Sequence, residues 1–133
     1  MGRERERPTI LLIDDVPDVL KILGTQLAQW GYRVLTAASG EEGLTLAEAE
    51  RPALILLDIL MPRMKGRDVC ARLKTNPATH EIPVIFLTAL GLPDHVKVGL
   101  EVGAEDYVVK PFEPEDLKER IRVCLLRSRR DPT

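Results

Sequence analysis

An α/β domain, (βα)5 in element order and built on a parallel five-stranded sheet, is the fold class that the sequence predicts. Three observations carry it. Five short apolar runs alternate with longer amphipathic stretches, the pattern of strands joined by helical crossovers. Three of those runs are apolar at nearly every position, as parallel strands buried on both faces require, instead of alternating as a half-exposed strand would. The length, 133 residues, fits one core of ordinary size and not two.

The elements follow in order. The first strand is Thr9 to Ile13. A helix starts near Pro17, a residue suited to a first helical turn, carries Val19, Leu20, Leu23, Leu27 and Trp30 on one face, and stops at Gly31. The second strand, Arg33 to Thr36, mixes in polar residues and reads as a sheet edge. The second helix follows Ser39, an N-cap with Glu42 three residues on, buries Leu44 and Ala47, and ends near Pro52. The third strand is Ala53 to Leu57; its helix carries Val69 and Leu73 and ends around Asn76-Pro77. The fourth strand is Val84 to Leu87, with a helix expected after Pro93-Asp94 bearing Val96 and Leu100. The fifth is Asp106 to Val109, with a last helix after Pro114 bearing Leu117, Ile121 and Leu125. Right-handed crossovers place helices on both faces, a flavodoxin-like three-layer sandwich of strand order 2-1-3-4-5. The domain is expected over residues 8–126, with a disordered arm at 1–7 and a flexible tail or linker start at 127–133.

Composition narrows the function. With 44% apolar and 30% charged residues the chain has the makings of a core, and a formal net charge of −2 lacks the basic footprint of a nucleic-acid binder. Direct nucleic-acid contact is not expected. No apolar run reaches the length of a membrane span, and the amino end alternates Arg and Glu where a signal peptide would be apolar, so a cytoplasmic protein without a membrane partner is expected. Cys70 and Cys124 have no metal-ligand spacing and read as reduced thiols in helices; His80 and His95 stand alone, and Met61 and Met64 read as packing residues.

Ligands of open α/β sheets bind beyond the carboxyl ends of the strands, here where the order reverses between strands 1 and 3. Strand 1 is followed by Asp14-Asp15 and strand 3 by Asp58, three carboxylates at one crevice. Two such charges about 4 Å apart repel by roughly 4 kcal/mol at an effective dielectric near 20. A hard divalent cation neutralises them best, and Mg²⁺ is typically held by one or two carboxylates plus a phosphate. Strand 5 adds the cation Lys110 and strand 4 the hydroxyl of Thr88. Acids, cation and hydroxyl together suit phosphoryl transfer, in which a carboxylate attacks phosphorus while opposite charges hold its oxygens.

These residues resemble the receiver domain of two-component response regulators. The resemblance rests on Asp14-Asp15, on Asp58-Ile-Leu-Met61-Pro62-Arg-Met64-Lys-Gly66, on Thr88-Ala89, on Gly103-Ala104 and on Asp106-Tyr107-Val-Val-Lys110-Pro111-Phe112, and covers residues 8–126. It implies that Asp58 is the phosphoacceptor, charged by a sensor histidine kinase or a histidine phosphotransfer protein. It implies Mg²⁺ on Asp15, Asp58 and the backbone carbonyl of Leu60, with Asp14 acting through a metal-bound water. Thr88, Ala89 and Lys110 would bind the phosphoryl group, Thr88 and Tyr107 would form a switch, and Lys110-Pro111 would be a cis peptide. Output is expected on the face of the fourth helix, fifth strand and fifth helix, toward a downstream protein or domain, with a phosphorylation-dependent homodimer as one form. No turnover of an external substrate is expected. Leu60 and Leu90 should flank the site, and neither can hydrogen-bond an attacking water, so self-dephosphorylation should be slow.

Rival readings fit less well. A haloacid-dehalogenase-type aspartyl-phosphate hydrolase needs a second Asp two residues after the first, where this chain has Leu60. A flavodoxin or nucleotide binder needs a hydroxyl- or glycine-rich loop after strand 1, where Asp14-Asp15-Val16-Pro17-Asp18 would repel a phosphate unless a metal intervened. Nothing essential to the receiver pattern is missing, which disfavours a degenerate receiver acting as an interaction module, and in a purely structural adaptor the acidic site would have no reason to exist.

Overall fold

The computed structural model describes residues 7–88 and 103–130. Its elements are β1 (Thr9–Ile13), α1 (Pro17–Gln29), β2 (Arg33–Ala37), α2 (Gly40–Glu50), β3 (Leu54–Asp58), α3 (Gly66–Thr75), β4 (Val84–Thr88), β5 (Asp106–Val109) and α4 (Pro114–Arg130). The strands form one sheet in the order β2-β1-β3-β4-β5, every neighbouring pair parallel. The helix expected after Pro93-Asp94 lies outside the described residues, as do Ala89, Leu90 and His95.

The inner strands bury both faces. Leu11, Ile13, Ile55, Leu57, Val84 and Phe86 face one layer with Val69 and Leu73 of α3. Ile10, Leu12, Leu54, Leu56, Ile85 and Leu87 face the other, against Leu23 and Leu27 of α1 and Leu117 and Ile121 of α4. Each such side chain withdrawn from water contributes about 1.5–3 kcal/mol before entropy is counted. β2, by contrast, leaves Arg33 and Thr36 exposed, as an edge strand does.

Strand ends differ from the periodicity reading. β2, β3 and β4 each run one residue further, to Ala37, Asp58 and Thr88. Asp58 and Thr88 therefore close their strands instead of following them. The parallel ladder carries them: Asp58 sits opposite Leu87, Thr88 opposite Val109, and Ile59 N–H donates to Leu87 O at 3.1 Å.

The helix ends show what local sequence does and does not announce. Ser39 Oγ accepts from Glu42 N–H at 3.1 Å, and the Glu42 carboxylate reaches back to Ala38 N–H at 2.8 Å, a capping box displaced by one residue. α3 ends on long-range partners instead. Thr79, buried in a loop, donates its hydroxyl to Leu73 O, and Lys74 Nζ donates to Ile82 O. α4 continues through Arg130, into the segment expected as a flexible tail or linker start. No Gly or Pro interrupts the chain between Pro114 and Pro132, and a turn already anchored by Ile121, Cys124 and Leu125 propagates at little cost. Residues 131–133 lie outside the described residues. Among those described, no helix is long and apolar enough to cross a membrane.

Candidate functional site

β1 and β3 are neighbours whose outer partners lie on opposite sides, β2 beyond one and β4 beyond the other, and the crevice at their carboxyl ends holds the acids. Asp14 extends β1 by donating its N–H to Ala37 O at 3.1 Å, which puts its side chain at the crevice floor, fully buried. Asp15 follows, half-buried, and Asp58 closes β3 with 6% of its surface exposed. One carboxylate oxygen from each of the three lies within 4.8 Å of the others.

Each acid is oriented by its own turn. Asp14 Oδ1 accepts Val16 N–H at 2.9 Å, and Asp58 Oδ1 accepts Leu60 N–H at 3.1 Å. Lys110 reaches the crevice from the end of β5, where its N–H donates to Thr88 O at 2.7 Å, and its Nζ lies 3.2 Å from Asp14 Oδ2. The Lys110-Pro111 peptide is cis. Thr88 is fully buried at the end of β4; Tyr107, three residues before Lys110, is half-buried on β5 and packs against the α3-side layer. Leu60 stands at the mouth, 42% exposed. Of the sequence-predicted set, the structure thus places Asp14, Asp15, Asp58, Leu60, Thr88 and Lys110 around one crevice, with Tyr107 beside it on the neighbouring strand and Ala89 outside the described residues.

The electrostatics follow from burial and crowding. Loss of water around Asp58, and next the charge of Asp14, push its carboxyl up to about 6 from the ordinary 3.8; Lys110 and the Leu60 N–H pull the other way. Among the described residues, one lysine faces three carboxylates, which leaves two negative charges uncompensated when all three are ionised. The donors are all oxygens, one of them half-exposed and open to solvent, which suits a hard divalent ion that keeps part of its water, Mg²⁺ above all. The residues fit that ion.

One residue named in the sequence only as part of a motif turns out to hold the site's backbone in place. Gly66 opens α3, and a Cβ there would stand 2.3 Å from the Asp58 carbonyl oxygen and 2.7 Å from Ile59 Cα. Gly66 N–H also donates to Ile59 O at 2.9 Å. Glycine is a poor residue with which to open a helix interior, and its presence at that point was the available signal of a close backbone approach. Cys70 and Cys124 are buried reduced thiols, pushed up to about 11 by burial, and take no part in the crevice. Beside Lys110, an apolar groove of about 330 Å³ runs between α1 and α4, lined by Ile22, Trp30, Phe112 and Pro114 among others, with Ile22 70% exposed.

Comparison with known proteins agrees with this geometry. The family model of the response regulator receiver domain matches residues 10–122. A probable transcriptional regulator, ycf27, of Cyanophora paradoxa is 47% identical over 131 residues, covering 98% of this chain and 53% of the relative. The chain spans about half the length of the curated relatives it matches first. Among solved structures, a putative response regulator from Chloroflexus aurantiacus superposes with a TM-score of 0.86 at 38% identity, covering 90% of this chain and 98% of that one. The receiver domain of sensor histidine kinase PA1611 from Pseudomonas aeruginosa, with a magnesium ion coordinated in its active-site cleft, gives a TM-score of 0.83 at 28% identity, covering 90% and 98%.

Proposed function

This chain belongs to the response regulator receiver domain family, and from that premise we propose that Asp58 accepts a phosphoryl group from a phosphohistidine on a sensor kinase or phosphotransfer protein. An Asp58 carboxylate oxygen attacks phosphorus, the phosphorus–nitrogen bond breaks, and the leaving imidazole takes a proton, which leaves an acyl phosphate on the side chain. The observation that carries this reading is the gathering of Asp14, Asp15 and Asp58 within 4.8 Å, with Lys110 held on Asp14.

Asp15, Asp58 and the Leu60 carbonyl would hold Mg²⁺, with Asp14 acting through a water on it. When bound, the ion neutralises the crowded carboxylates and the incoming phosphoryl oxygens. Lys110 then has an anion more demanding than Asp14 to pair with, and Thr88 and Ala89 would bind the phosphoryl group with it. The added charge, close to −2, would draw the Thr88 hydroxyl toward it and the Tyr107 ring inward after it, and so communicate the modification to β5 and the helices beside it. Output through that face goes to a downstream protein or domain, with a phosphorylation-dependent homodimer as one form, in the cytoplasm. The chain turns over no external substrate. A donor protein must bring phosphorus to the crevice mouth, and the apolar groove beside Lys110 offers it a surface there.

The test is the intact mass of wild type and Asp58→Asn after incubation with acetyl phosphate, with and without Mg²⁺. One Mg²⁺-dependent phosphoryl adduct, absent from the variant, is expected. An adduct that survives in Asp58→Asn would move the acceptor elsewhere, and no adduct under any condition would favour the degenerate receiver. Because Leu60 offers no hydrogen bond to an attacking water, the adduct should outlast the preparation; decay within seconds would remove that part of the reading.

A further inference from the structure

The groove between α2 and α3 carries its charge in two separate halves. α2 exposes Glu41, Glu48 and Glu50 and contains no basic residue. Across the groove, the loop into α3 and α3 itself expose Arg63, Lys65, Arg67 and Arg72 against a single acid, Asp68. Arg67 leans toward Asp68 at 3.9 Å, the outer limit of an ion pair. Of the other six, none ends in an ion pair among the described residues, although Glu48 and Arg72 line one small cavity between the helices. Between the halves lies a cleft of about 950 Å³ with Met61, Pro62, Met64 and Ala71 in its walls.

A surface of one sign needs a foreign partner of the other. Two halves of opposite sign beside a partly apolar cleft are complementary to their own image turned about a two-fold axis, because acid then meets base on both sides at once. We propose that the α2–α3 face is a self-association surface, where the Glu41–Glu48 edge of one copy docks on Arg63 and Arg72 of a second copy, and reciprocally. The contact needs no phosphoryl group. It lies away from the β5 and α4 residues whose charges are already consumed within the chain, where Arg120 holds Asp106 at 2.9 Å and Asp116 at 3.0 Å.

Sedimentation velocity from about 10 to about 500 µM, in about 50 mM salt where surface charges are weakly screened, tests it. The wild-type average mass should rise toward twice the monomer and fall back in about 0.5 M salt. Asp58→Asn should associate as wild type does, which separates this contact from the phosphoacceptor reading. The double variant Arg63→Glu/Arg72→Glu, folded by circular dichroism, should weaken association at least about tenfold. Mixed with Glu41→Arg/Glu48→Arg, it should form a heterodimer that neither variant forms with itself. A wild type monomeric throughout would assign the face to a foreign partner and overturn the proposal. So would association that ignores the Arg63 and Arg72 reversals, or that Arg120→Ala abolishes.

Discussion

At the scale of single residues, Asp58 is a carboxylate whose ionisation burial and crowding oppose. Its carboxyl titrates at about 6 in the folded chain, against 3.8 ordinarily. A raised carboxyl pKa means that the folded state holds its proton more tightly than the unfolded state does, so folding is penalised once Asp58 ionises. Stability without metal should therefore fall as pH rises from about 4 to about 6, by at most about 3 kcal/mol. Asp58→Asn keeps an oxygen for the Leu60 N–H and removes the charge. In EDTA at pH 7–8 it should be more stable than wild type by about 1–3 kcal/mol, and the gain should vanish below about pH 4. Denaturant unfolding across that range checks it; a pH-independent difference would assign the effect to something other than ionisation. The same excess of negative charge explains why a phosphoryl acceptor would be tolerated here: a divalent ion that the folded site binds returns the stability that crowding removes.

At the scale of elements, two glycines in helices separate permitted from forbidden volume. Gly24 lies inside α1, and a Cβ there would meet Val34 and Thr36 side chains at 3.8 and 3.9 Å, ordinary contact distances. Gly24→Ala should stabilise the chain by about 0.5–1 kcal/mol through the lost freedom of the unfolded state. Gly66→Ala has the opposite fate. Its Cβ would press on the Asp58 carbonyl, so the variant should lose about 2 kcal/mol and take up phosphoryl more slowly. Thermal unfolding of both, with the intact-mass assay on the second, checks the pair. Sequence periodicity placed α1 and α3 correctly because apolar spacing is a local property. It could not rank these glycines, since what a Cβ meets is supplied by β2 in one case and by the end of β3 in the other.

At the scale of the whole molecule, the parallel sheet brings chemistry from distant stretches of chain to one crevice and connects it to a face on β5. Tyr107 lies opposite Phe86 in the ladder and two residues from Glu105, whose carboxylate accepts the Val84 N–H at 2.7 Å and faces Lys74 at 3.3 Å. The residues that surround the switch are thus fastened to α3 as well as to the sheet. If Thr88 and Tyr107 carry the signal, Tyr107→Ala should retain the Mg²⁺-dependent adduct and lose phosphorylation-dependent association by about tenfold or more. Association measured with and without acetyl phosphate decides it, and an unchanged response would take Tyr107 out of the switch.

The sequence by itself determined the order of the described elements, the strand order and the three acids with Lys110 and Thr88 at the carboxyl ends. Apolar period and turn residues act over a few positions, and crossover handedness leaves few topologies to choose from. Tertiary structure decided the rest. The strand ends at Asp58 and Thr88 depend on ladder partners in other strands; the end of α3 depends on Thr79 and on Lys74 donating past the helix. The Lys110–Asp14 pair joins residues 96 positions apart, and the rise in the Asp58 pKa comes from burial and from Asp14, 44 positions before it in the chain. Desolvation and Coulomb energy act through space, so their values exist only once the chain has folded.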